Sequence, residues 1–82
     1  MNIKDIQIGK IISLSIDNKI FFSGKIIWKT ANQINISWYI YNGHIISTNS
    51  NYFINDILLW DTHGEWDIKI TNLDVGIVCK RV

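Results

Sequence analysis

From Ile6 to Ile40 nearly every even-numbered residue is apolar, while most odd-numbered residues are polar. The even series runs Ile6, Ile8, Ile12, Leu14, Ile16, Ile20, Phe22, Ile26, Trp28, Ile34, Ile36, Trp38 and Ile40. Successive side chains on a strand point to opposite faces, so a period of two held through two connections specifies half-buried antiparallel strands with this series as their core face.

Composition agrees with that reading. Isoleucine occurs nineteen times, alanine once and proline never, and the stiff, branched isoleucine side chain favours strand over helix. Isoleucine, lysine and the nine asparagines are also residues of AT-rich codons, so biased base composition in a bacterium or phage accounts for much of the excess. A chain of 82 residues makes one core and therefore one domain, residues 1–82.

Turn chemistry divides the pattern. A first strand spans about Ile6 to Ile16, with a bend at Gly9, and ends at Asp17-Asn18-Lys19. A second, Ile20 to Trp28, carries Gly24 on its core face, where a missing side chain marks a bulge or close backbone approach. Thr30-Ala31-Asn32 leads into a third strand, Gln33 to Tyr41, and Asn42-Gly43 is a strong hairpin signal that returns a fourth strand, His44 to Thr48. Thr48-Asn49-Ser50-Asn51 then reads as a polar loop.

Beyond it the parity breaks. The segment Tyr52 to Trp60 reads either as a short helical turn near residues 51–57 or, preferred here, as an irregular stretch followed by a strand from about Ile57. Asp61 to Glu65 is a turn, Trp66, Ile68 and Ile70 restore the even face, and a last strand runs from Val75 to Val82. The expected fold is all-β, a small single-domain barrel of six or seven antiparallel strands. The long first hairpin, its mid-strand glycine and the long third strand resemble the opening of SH3-like barrels, including Sm-like, Tudor and PilZ-type domains, and an OB-like meander fits as well. The chain lacks the paired arginines of PilZ domains, since Arg81 is its sole arginine, and shows no Tudor-type spacing of aromatics.

Catalysis is poorly supplied. His44 and His63 fall in predicted turns, and no serine or cysteine sits in an activating context. The cluster Asp61, His63, Glu65 and Asp67 has neither zinc-site nor calcium-loop spacing, and the five glycines are isolated, so neither a metal nor a cofactor is expected. Cys79, the only cysteine, excludes an intramolecular disulfide, and a small apolar role in the last strand suits it. With no signal-peptide pattern and no run of apolar residues long enough to span a membrane, a cytoplasmic protein is expected.

The remaining signal is a surplus of apolar residues on the nominally polar face. Phe21, Lys25, Ile27, Lys29, Tyr39 and Tyr41 are the candidate partner-binding set, lying either exposed or beneath a covering segment, and Trp60, His63 and Trp66 form a second candidate patch. The two tryptophans would face each other across a hairpin. The expected function is non-enzymatic: a protein-binding module, in its most specific form a phage or mobile-element inhibitor of a host factor. The alternative is a nucleic-acid or nucleotide binder that stacks bases on its aromatics. Against it stands a net charge of +1 with only one adjacent basic pair, Lys80-Arg81. Self-association through an exposed edge strand is a further expectation.

Overall fold

The turns at Asp17-Asn18 and Asn42-Gly43 form as the sequence requires. Positive φ angles of 52° and 64° in the first pair, and 50° and 81° in the second, give the twist that joins two antiparallel strands tightly. A computed structural model describes residues 2–64 and 66–72. Its strands are β1 (Ile11–Ile16), β2 (Lys19–Lys29), β3 (Gln33–Tyr41), β4 (His44–Phe53) and β5 (Asp67–Thr71), with one helix, α1 (Ile54–Thr62), between β4 and β5. All described pairings are antiparallel and the order is β4-β3-β2-β1-β5.

The molecule is thus mostly antiparallel sheet, as expected. Among the described residues the sheet does not close: β4 and β5 are its edges. The expected last strand, with Cys79 and the Lys80-Arg81 pair, lies outside the described residues.

One face of the sheet carries the core. Ile12, Leu14, Ile26, Ile34, Ile36, Trp38 and Ile68 are buried there with Ile6, and α1 adds Ile54 and Ile57. The helix replaces the strand expected from Ile57. Its stripe of Ile54, Ile57 and Leu58 has i, i+3, i+4 spacing, the Ile54 amide donates to the Asn32 carbonyl at 2.8 Å, and Gly64 at φ 72° follows its last turn. The stretch expected as a polar loop, Thr48 to Asn51, is instead continuous strand within β4, its backbone paired with Asn35 to Trp38 of β3.

The parity rule fails at three bulges. Leu14 pairs with Phe22 but Ser15 with Ile20, so Phe21 is an extra residue. Ile26 pairs with Ile36 but Trp28 with Asn35, which leaves Ile27 extra, and Gly24 and Ser23 face Trp38 and Ile40, which leaves Tyr39 extra. A bulge turns the residues beyond it to the other face. Ile20 and Trp28, expected in the core, are therefore exposed, Trp28 to 46%. Ile8 and Ile16 are exposed as well, the first in the connection before β1 and the second at the end of β1. Ser15 and Ser23 are buried although odd-numbered.

Gly24 has the role that its position predicted. A Cβ there would stand 2.7 Å from the Ile36 Cγ2, 2.8 Å from the Trp38 Cε3 and 2.9 Å from the Ser37 carbonyl oxygen. Close approach of β3 requires a residue with no side chain.

Candidate functional site

At one end of the core face the packing changes from isoleucine to aromatic rings. Trp38 enters from the centre of β3, Phe22 from β2, Tyr52 from the end of β4, Trp60 from the last turn of α1 and Trp66 from the residue before β5. With Leu14 they line an open cavity of about 330 Å³.

Three of the ring pairs stand nearly perpendicular, while Phe22 and Trp38 tilt at 58° with centres 5.4 Å apart. Tyr52 and Trp60 meet at 5.4 Å and 75°, Trp38 and Tyr52 at 6.1 Å and 80°, and Phe22 and Trp66 at 5.8 Å and 70°. Edge-to-face contact suits the ring quadrupoles, positive edge to negative face, and it sets flat walls at angles that do not fill the space between them. The Trp38 indole N–H donates to the Tyr52 hydroxyl at 2.9 Å. That bond satisfies the indole and leaves the Tyr52 proton for another acceptor.

Among the described residues the lining contains no carboxylate, amine, imidazole or thiol. Such a wall removes apolar surface from water, and its few polar groups, the Tyr52 hydroxyl and the tryptophan indole N–H groups, can orient what enters.

The candidate residues from the sequence are divided by the three bulges. Phe21 sits beside the cavity, its ring 6.2 Å from Trp66 with the Lys19 ammonium above it at 5.7 Å. Tyr41, turned by the Tyr39 bulge, joins Phe22 on the core face at 4.8 Å between ring centres and stays half-exposed. Ile27 lies across the sheet, where it lines a shallow groove with Trp28, Asn35, Asn49 and Asn51. Lys25 is exposed, Lys29 donates to the Gln7 side chain at 3.5 Å, and Tyr39 is partly buried in its bulge. Phe21, Ile27 and Tyr39, three of the apolar residues that made the odd face look rich, are thus the three bulge residues themselves.

Trp60 and Trp66 line the same cavity, from a helix and the approach to β5 and not as a pair facing across a hairpin; His63 is exposed just beyond α1. Among the described residues, no group of three histidine, cysteine, aspartate or glutamate side chains gathers as metal ligands. Among the described lysines, Lys10 bonds Asn72, Lys29 bonds Gln7 and Lys19 lies over Phe21.

Sequence reasoning missed Leu14, Phe22, Trp38 and Tyr52 as lining residues. Leu14, Phe22 and Trp38 read as plain core, and Tyr52 fell in the segment whose element type was open. Only part of the cluster had a local signal: Phe22 and Tyr41 flank the Asn42-Gly43 end of β2 and β3, whereas Tyr52 pairs with Ile34 at the other end of β3 and its ring reaches Trp38 along the core face. No protein-family model, curated protein or solved structure matches the chain. Among the described residues no helix is long and apolar enough to cross a membrane.

Proposed function

We propose that the protein is a non-enzymatic binding module that takes one bulky apolar side chain of a protein partner into the cavity between its sheet and α1. The observation that carries this reading is the open pocket walled by Phe22, Trp38, Tyr52, Trp60 and Trp66. Aromatic rings provide large contact area at low conformational cost, and pockets of this kind hold the anchor residues that dominate protein–protein affinity. A neutral lining favours a neutral anchor, and the exposed Tyr41 and the Lys19–Phe21 pair would form the polar rim.

The test is selection of linear peptides from a random library displayed on phage. Enriched peptides should share a leucine, methionine, phenylalanine or tryptophan, and Trp60→Ala should weaken them by more than about tenfold. Trp28→Ala, across the sheet, should leave affinity unchanged. The reverse pattern would place binding on the other face and sink this reading. Selection of nothing, combined with low-salt binding of single-stranded oligonucleotides that Trp60→Ala abolishes, would shift the site to base stacking.

A further inference from the structure

The two edges of the sheet are built differently. β5 is five residues long and carries Asp67 and Lys69, and a short, charged strand discourages another strand from pairing with it. β4 is ten residues long, His44-Ile-Ile-Ser-Thr-Asn-Ser-Asn-Tyr-Phe53, with no aspartate, glutamate, lysine, arginine, proline or glycine. Among the described residues nothing pairs with its outer edge. The β4–β3 register shifts once, between Ile45 and Thr48, but from Thr48 to Phe53 the strand is regular, and among the described residues this long, uncharged edge presents unpaired N–H and C=O groups, a feature that natural sheets otherwise blunt.

We infer that β4 pairs antiparallel with β4 of a second copy of this chain across a two-fold axis at Asn49. The choice of copy and register comes from the strand's own residues. A two-fold axis pairs residues symmetrically about one point, and like faces stay together only if that point is a residue. An axis at Asn49 sets Ile45 opposite the second copy's Phe53, Ile46 opposite its Tyr52, Ser47 opposite its Asn51 and Thr48 opposite its Ser50.

That register resolves two otherwise unexplained exposures. Ile45 is 89% exposed and Phe53 is 55% exposed, at opposite ends of one strand, and the axis covers each with the other, twice per dimer. Ile46 and Tyr52 already pack against the core, so their pairing extends the inner face across the seam. The outer face gains a run of amides: the Asn35 side-chain Nδ2 donates to the Asn51 side-chain Oδ1 at 2.6 Å, Asn51 meets Ser47 of the other copy, and Asn49 meets itself. An axis one residue away, at Thr48, puts Asn51 against Ile45 and leaves Phe53 opposite Gly43, beyond the strand.

A residue on a two-fold axis faces its own copy, which makes Asn49 the position to test. Asn49 is exposed, so a charge there is compatible with the fold; far-UV circular dichroism verifies this. Sedimentation equilibrium should find the wild-type chain dimeric and both Asn49→Lys and Asn49→Glu monomeric, because each opposes a like charge. An equimolar mixture of the two variants should recover a 1:1 heterodimer, visible by native mass spectrometry. A monomeric wild-type chain overturns the inference, and so does a dimer that either variant leaves intact. Loss of the dimer in both variants without recovery on mixing overturns the register and its axis.

Discussion

The two ends of the core face are both apolar but behave differently. At one end Ile6, Ile12, Ile26, Ile34, Ile36 and Ile57 are fully buried; at the other, Phe22, Tyr52, Trp60 and Trp66 are only partly buried around an open cavity. Branched aliphatic chains interdigitate to interior packing density. Rings that meet edge to face brace one another while leaving a gap. Apolar content alone therefore does not distinguish core from site; the shape of the side chains does.

The largest expected effect breaks the aliphatic end. Ile36 sits on central strand β3 and is fully buried, so Ile36→Ala should cost about 2–5 kcal/mol through lost transfer energy and the cavity left behind. Urea unfolding with an unchanged m-value would measure it. A cost under about 1 kcal/mol would mean that this end is as loosely packed as the other, and the contrast would fail.

Gly24 lies at the junction, against Ile36 and Trp38 together. In Gly24→Ala the new methyl meets the Ser37 carbonyl oxygen at 2.9 Å, a backbone atom that cannot rotate aside, so overpacking of about 1–3 kcal/mol is expected. Because Trp38 is displaced too, peptide affinity at the cavity should fall along with stability. Lower stability with undiminished affinity would show that the two ends are mechanically independent.

How much of this was legible follows from which signals were local. The hairpins at Asp17-Asn18 and Asn42-Gly43 were, because positive φ is written into those residue types. The core of Ile12, Leu14, Ile26, Ile34 and Ile36 was, because parity holds between bulges. The bulges were not: Phe21, Ile27 and Tyr39 are ordinary strand residues, and only pairing with a neighbouring strand reveals that each is one too many. Trp28 was misplaced for that reason alone. The helix was ambiguous because Ile57-Leu58-Leu59-Trp60 suits either element, and its selection depends on tertiary contacts such as the Ile54 amide with the Asn32 carbonyl. The cavity needed all of these at once, since its walls come from five strands or their flanks and one helix.

The smallest effect sharpens the aromatic end. Tyr52→Phe keeps the ring and its edge contacts but removes the hydroxyl that accepts from the Trp38 indole. The indole N–H borders an open cavity, so water takes the vacated place and the cost should be about 0.5–1.5 kcal/mol, well below that of a sealed unpaired donor. Hydrogen exchange of the Trp38 indole proton, followed by NMR, should accelerate while amides of Ile34 and Ile36 keep their protection. If the indole stays as protected as before, ring contacts alone hold this end, and Tyr52 serves the cavity only as a wall. If protection is lost at Ile34 and Ile36 as well, the aromatic end supports the aliphatic one, and the separation between packed core and open site disappears.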